Sequence, residues 1–249
     1  MTSLIAFLTG SGLGSRRHCF RLLIEGLVLV NGQVAEKSSA EINPAEDVVE
    51  VEGHRVEMAT RRVYLKMNKP AGVVSTTSDP WGRPMVLDLV PQEFSDLRLF
   101  LVGRLDADTT GLLLLTNDGT LSNSLTHPSF EVEKEYNALL DRPLQPGHLL
   151  ALERGVVIND EVTAPARIKP LAGSVAPWYS ITLHEGKKRQ VRFMALALDY
   201  RVLQLIRVRI HSLRLGDLAP GQVEEVTQEE LKGLMSSLPL ASTKGVDSS

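Results

Sequence analysis

The chain has 249 residues, 43% hydrophobic and 23% charged, with a formal net charge of -3. That length suits one large domain, or one large and one small, each with a buried core, and the composition excludes a disordered chain. Cys19 is the only cysteine, so there is no disulfide framework, and one cysteine with six scattered histidines offers no zinc-ligand spacing. Met1 to Gly14 lacks the basic residues that open a secretion signal, and the apolar run Leu112 to Leu115 is far too short to span a bilayer. The expected setting is the cytoplasm, without membrane attachment.

In chain order, Leu4, Phe7 and Leu8 predict a short amphipathic helix ending near Gly10. Ser15 is the expected N-cap of a second helix with Phe20, Leu23 and Ile24 on its apolar side and Gly26 as its stop. Leu27 to Val30 reads as a strand, followed by Asn31-Gly32, a strong two-residue hairpin turn. Asp47 to Glu52 reads as another strand, and the pattern then weakens around Met58 to Arg62, where a linker is expected. Val63 to Met67 alternates as a half-buried strand and turns at Asn68-Lys69-Pro70-Ala71-Gly72. Further strands are expected at Leu99 to Val102, Leu112 to Thr116, Lys134 to Leu140 and Trp178 to Leu183, with a turn at Asn117-Asp118-Gly119. A helix is expected from about Lys188 to Leu198, with Val191, Met194, Ala195 and Leu198 on one face. Strands and helices without regular alternation predict an α+β fold with a mainly antiparallel sheet.

The net charge conceals a strong asymmetry. Between His184 and Arg214 there are eight basic residues against two acidic ones, a local +6, whereas the remaining chain is acidic. A polyanion responds to local basic surface rather than to the sum. Two helix starts also carry cations, Arg16 and Arg17 in one and Lys187, Lys188 and Arg189 in the other. Cations there oppose the helix dipole by roughly 0.3–1 kcal/mol each. Two such clusters in two parts of the chain favour nucleic-acid contact over solvated charged faces.

The segment Gly103-Arg104-Leu105-Asp106-Ala107-Asp108-Thr109-Thr110-Gly111 lies between two apolar strands. Its carboxylates suit a nucleophile, an acid/base pair, a metal site or two solvated loop acids, and spacing alone leaves these open. However, Gly103 to Asp106, followed by Thr110-Gly111-Leu112-Leu113 and Thr116-Asn117-Asp118-Gly119, closely resembles the motif of the RsuA/RluB/RluE/RluF-type ribosomal RNA pseudouridine synthases. Asn68 to Ser75 resembles that family's opening motif, Glu133 to Tyr136 its tyrosine motif, and Glu185 to Arg192 its basic motif. Gly14 to Arg17 with Val30 to Gly32 is similar to the RNA-binding module named after ribosomal protein S-four. The likeness covers roughly residues 3 to 235. His184, Lys188 and Phe193 depart from the family pattern at positions flanking or within the basic motif.

The resemblance implies an S-four-type RNA-binding module over residues 1–60, a mainly antiparallel-sheet synthase domain over 61–238, and a disordered tail over 239–249. It implies that Asp106 is the nucleophile, that Tyr136 packs on the target base, and that Arg192 pairs with Asp106. Arg104 and Leu205 would line the substrate pocket. Arg16, Arg17, Arg21, Lys187, Lys188 and Arg189 would contact RNA. The partner would be ribosomal RNA, large-subunit RNA being favoured by Thr126 to Glu131, and the chain would act as a monomer. Isomerising uridine involves no net redox change and no second substrate, so neither cofactor nor metal is expected. Two other readings compete: a non-catalytic RNA-binding ribosome-assembly factor with this fold, and a hydrolase using Asp106 and Asp108 as a pair. Retention of Asp106 speaks against the first, and loop acids so close together seldom provide the opposed positions needed by the second.

Overall fold

The apolar pattern of the first fifty residues closes on itself in a small unit of strands and two helices. The structure, a computed structural model, describes residues 1–14, 16–57 and 61–236. The expected Ser15 cap, the Met58 to Thr60 part of the expected linker, and the expected tail at 239–249 lie outside the described residues. Strand β1 (Thr2–Ser3) leads into α1 (Leu4–Gly10), then α2 (Arg16–Ile24), β2 (Val28–Val30), β3 (Gln33–Val34), β4 (Glu41–Ile42), β5 (Val49–Val51) and β6 (His54–Val56). The sheet order is β3-β2-β5-β6, with β1 paired to β4. Asn31 and Gly32 both take positive φ, 52° and 78°, as the two-residue turn between right-twisted strands requires.

Leu4, Phe7, Leu8, Cys19, Leu22, Leu23, Val28, Val49 and Val51 share one core. The expected apolar face of α2 is corrected here. Cys19, Leu22 and Leu23 are buried, whereas Phe20 is 48% and Ile24 72% exposed. A helix turns only one stripe toward its partner, and the stripe through 19, 22 and 23 meets the core while 20 and 24 lie beside it.

The second unit contains β7 (Tyr64–Lys69), β8 (Phe100–Val102), β9 (Thr110–Thr116), α3 (Gly119–Thr126), β10 (Lys134–Leu140) and α4 (Pro146–Arg154). It continues through β11 (Val157–Ile158), β12 (Glu161–Val162), β13 (Arg167–Pro170), β14 (Trp178–Leu183) and α5 (Gln190–Leu196). It ends with β15 (Val202–Ile210), β16 (Leu213–Arg214), β17 (Val223–Glu225) and α6 (Gln228–Ser236). A nine-stranded sheet runs β13-β14-β10-β15-β9-β7-β17, with β16 on β15 and β8 on β9. Its pairs are antiparallel except β9 with β15.

Leucines 112–115 are each 0% exposed, because β9 is interior and both faces of the sheet are covered. Leu112 and Leu114 face one core and Leu113 and Leu115 another. Each buried leucine contributes about 1.5–3 kcal/mol, so this strand anchors the sheet. The alternation expected in β7 is likewise overridden: all six residues are buried. Lys66 survives there through ion pairs to Glu224 at 2.8 Å and Glu230 at 2.7 Å.

Two further expectations are corrected. Asn117-Asp118-Gly119 is the start of α3 rather than a simple turn, with Asp118 capping the amides of Thr120 and Leu121. The helix expected from Lys188 begins at Gln190 and ends at Leu196. Arg189 sits at its cap with a left-handed φ of 53°, which places Lys187 and Lys188 in the preceding loop.

The single parallel junction makes a sharp demand. Gly111 has φ 99°, and a Cβ there would lie 2.3 Å from the carbonyl oxygen of Arg207. Backbone cannot yield as a flexible side chain can, so Gly111→Ala should destabilise the chain by about 3 kcal/mol or more, read by urea unfolding. A wild-type midpoint would show that the β9–β15 crossing is looser than described.

Buried lysines give a second test. Burial, with Arg207 nearby, pushes Lys134 down to about 8 from an ordinary 10.5. The folded chain therefore holds this proton more weakly than the unfolded chain does, so unfolding takes up a proton across that window and stability rises with pH. The stability difference between wild type and Lys134→Met should shift toward the wild type from about pH 7.5 to about pH 9.5. A difference independent of pH would place Lys134 in ordinary solvent.

Candidate active site

Between the end of β8 at Val102 and the start of β9 at Thr110, the chain must turn through the Asp106 loop. Gly103 opens the turn with φ 74°. The loop is then tied down from beneath by the end of β7. Lys69 is 0% exposed, and its ammonium donates to the carbonyls of Pro70 (2.9 Å), Ala107 (3.3 Å) and Thr109 (2.9 Å). Burial pushes Lys69 down to about 8, while Asp108 and Asp106 pull the other way. The Gly72 amide donates to the Ala107 carbonyl at 2.8 Å, and the Leu105 amide to Ser75 Oγ at 3.2 Å. The Thr109 amide closes the turn on the Asp106 carbonyl at 3.0 Å.

Within this frame the Asp106 side chain is 34% exposed. Among the described residues its nearest cation is Arg189 at 3.9 Å, and no hydrogen bond occupies its carboxylate. Asp108 is the acid that is engaged. Arg189 grips it through both terminal nitrogens at 3.2 and 3.1 Å, and Arg192 reaches it at 3.2 Å. Burial opposes ionisation of Asp108, but these two guanidinium groups outweigh it and hold the carboxyl below its ordinary value.

The expected pairing of Arg192 with Asp106 is therefore corrected. Because α5 starts at Gln190, Arg192 lies in its first turn, 13% exposed, with one nitrogen bound to the Val202 carbonyl at 2.9 Å. Its other terminal nitrogen meets Asp108, at the carboxylate and at the carbonyl. The two acids thus differ in kind: Asp108 is locked and Asp106 is open.

The neighbouring strands bring up the remaining expected residues. Tyr136 on β10 is half-buried and opposite Arg207 on β15, which in turn is opposite Gly111 at the start of β9. Leu205 is buried opposite Ala138, and Tyr136 packs against the same core. Arg207 is 1% exposed, with its Nε donating to the Leu112 carbonyl at 2.7 Å. Arg104 is exposed and lines a separate cleft. Arg16, Arg17 and Arg21 are exposed on α2 in the chain's first unit, and Arg21 contacts His18 and Glu25. Lys187 pairs with Glu161 at 2.7 Å, whereas Lys188 is exposed. Among the described residues there is no cluster of His, Cys, Asp or Glu able to hold a metal ion, and no helix is long and apolar enough to cross a membrane.

Sequence reasoning marked Asn68 to Ser75 as a motif but gave Lys69 and Ser75 no role, and it missed the bridging of Asp108. The clues were that motif and the position of Lys69 at the end of an apolar strand, directly before Pro70-Ala71-Gly72.

Comparison with known proteins accounts for this arrangement. The RNA pseudouridylate synthase family matches residues 63–197, and the S4 domain matches residues 4–49. An uncharacterized RNA pseudouridine synthase of Mycobacterium leprae is 40% identical over 238 residues, covering 94% of this chain and 92% of the relative. Ribosomal large subunit pseudouridine synthase B of Bacillus subtilis is 40% identical over 231 residues, covering 90% and 91%. A crystal structure of a pseudouridylate synthase, 29% identical, superposes with a TM-score of 0.67 over 94% of this chain and 100% of its own. With an S4 domain ahead of an antiparallel sheet that carries the Asp106 loop, the chain belongs to the RNA pseudouridylate synthase family.

Proposed function

We propose that this isomerase converts a uridine of large-subunit ribosomal RNA to pseudouridine, with Asp106 as its nucleophile, acting as a monomer. The observation that carries the reading is the contrast between the two loop acids: Asp108 is gripped by two arginines, whereas Asp106, on a pinned backbone, has among the described residues only the 3.9 Å approach of Arg189. The subunit rests on the likeness to the Bacillus subtilis large-subunit enzyme.

The reaction breaks the N1–C1′ bond of the uridine, joins C1′ to C5 of the same base, releases the C5 proton and returns a proton to N1, so atoms balance within one nucleotide. An ionised carboxylate must approach the sugar, and a rigid loop supplies the orientation that makes such an approach effective. The base must leave its stack, and Tyr136 offers an aromatic wall with Leu205 beside it. Arg189 lies 3.9 Å from the Asp106 carboxylate, while Arg192 acts one step removed, by holding Asp108. Arg16, Arg17, Arg21 and Lys188, all exposed, serve phosphates. Lys187 and Arg189 join them once RNA competes for their carboxylate partners. The domain limits of 1–60 and 61–238 fit a recognition unit joined to a catalytic one.

Two experiments follow. Asp106→Asn should fold and bind ribosomal RNA yet form no pseudouridine, because the near-isosteric amide cannot act as an anionic nucleophile. Mapping pseudouridines in RNA from cells with the wild-type gene, the variant or neither reads the result, and modification by the variant would remove Asp106 from the chemistry. Lys69→Met strips the donor from three carbonyls, so it should cost about 2–4 kcal/mol of stability. It should also lower the single-turnover rate at temperatures where the variant is still folded. A full rate in the folded variant would show that the loop holds its shape without the ammonium.

A further inference from the structure

A cavity of about 1170 Å³ lies between the first unit and the catalytic sheet, and Asp106 is not among its lining residues. One wall comes from α1 and the start of α2, with Thr9, Gly10 and Arg16. The other comes from the stretch 97–101, from Arg104, and from one side of α3. It exceeds the roughly 300–1,000 Å³ typical of small-molecule sites, which suits a stretch of chain better than a metabolite.

Its charge is one-sided. Among the described residues four arginines line it, Arg16, Arg62, Arg98 and Arg104, against a single carboxylate, Asp118. Asp118 is already occupied. It accepts from Arg62 at 3.1 Å, from the Tyr64 hydroxyl at 3.0 Å, and from the amides of Thr120 and Leu121. Among the described residues no carboxylate pairs with Arg16, Arg98 or Arg104. Arg98 carries a second oddity: its Nε is buried with no hydrogen-bond partner. A buried guanidinium N–H without an acceptor is costly, and the side chain that carries it lines the cleft. Between these cations the lining mixes polar Thr76, Ser122, Asn123 and Thr126 with apolar Leu97 and Phe100.

We propose that this cleft binds a segment of the substrate RNA that flanks the target uridine, with Arg16 gripping its phosphates from one wall and Arg98 and Arg104 from the other. The inference rests on the pseudouridine synthase reading for the identity of the polyanion, and it extends that reading to a second site. Arg104 stands two residues before Asp106 in the pinned loop, so a strand leaving the catalytic loop enters the cleft at Arg104 and passes Arg98 toward Arg16. Catalysis and recognition by the first unit would then be coupled through one continuous strand.

The test measures affinity for a protein-free large-subunit ribosomal RNA transcript across a salt series, using the full chain. Arg16→Ala and Arg98→Ala should each reduce the steepness of log affinity against log salt by about one, the loss of one phosphate contact. Arg98→Lys should restore the steepness, which loss of packing alone would not predict. Asn123→Glu adds a carboxylate to the α3 wall at an exposed position whose side chain has no assigned hydrogen bond, and it should weaken binding several-fold. Wild-type steepness in both alanine variants, together with wild-type affinity in Asn123→Glu, would overturn the cleft assignment. Pseudouridine formation by the wild-type protein in the same transcript is scored separately. Its failure would sink the substrate reading while the salt series still judged the cleft.

Discussion

The ammonium of Lys69, buried at the end of β7 and shared among the carbonyls of Pro70, Ala107 and Thr109, is the contact on which the site depends. A loop between two strands has no ladder of its own, and its carbonyls must find donors elsewhere. Here one side chain supplies three, from a strand that is itself clamped between β9 and β17. Burial makes that charge expensive, as its depression to about 8 records, and the nearby Asp108 and Asp106 partly offset the cost. The same cation that shapes the loop therefore also lies in the field of its two acids.

From that frame the division of labour between the acids follows. Asp108 lies where α5 presents Arg189 and Arg192, and it welds the helix to the loop. Asp106, turned by the tight bend that Thr109 closes, escapes both strong pairings. Arg207 adds rigidity below, its backbone crossing Gly111 so closely that no side chain fits there. An overall charge of -3 is compatible with RNA binding, because a polyanion meets local surface, and the segment from His184 to Arg214 carries a local +6.

Local chemistry was legible wherever a few neighbouring residues decide the outcome. Asn31-Gly32 specifies its turn because few residue pairs tolerate two positive φ angles, and β10 and β14 run from Lys134 to Leu140 and Trp178 to Leu183 as their patterns indicate. Family likeness singled out Asp106, Tyr136 and the basic motif, which spacing alone left open. What a sequence window cannot show is which apolar residues of α2 meet a partner, and so Leu23 was placed correctly while Phe20 and Ile24 were expected where Cys19 and Leu22 are buried. The strand β15 was read only as part of a basic segment, because Arg207 and Arg209 break its apolar pattern while finding their acceptors far away in the chain.

The amino-acid sequence by itself determined the family, the order of the two units and the loop that holds the acids, since these reside in short motifs whose meaning travels with the residues. Only the tertiary structure decided which acid is held and which is free, which arginine meets which carboxylate, and that Lys69 lies beneath them all. Those are contacts between residues 38 to 84 positions apart. How α5, starting at Gln190, is set against the loop decides that Arg192 meets Asp108 rather than Asp106, and no window of sequence contains that placement.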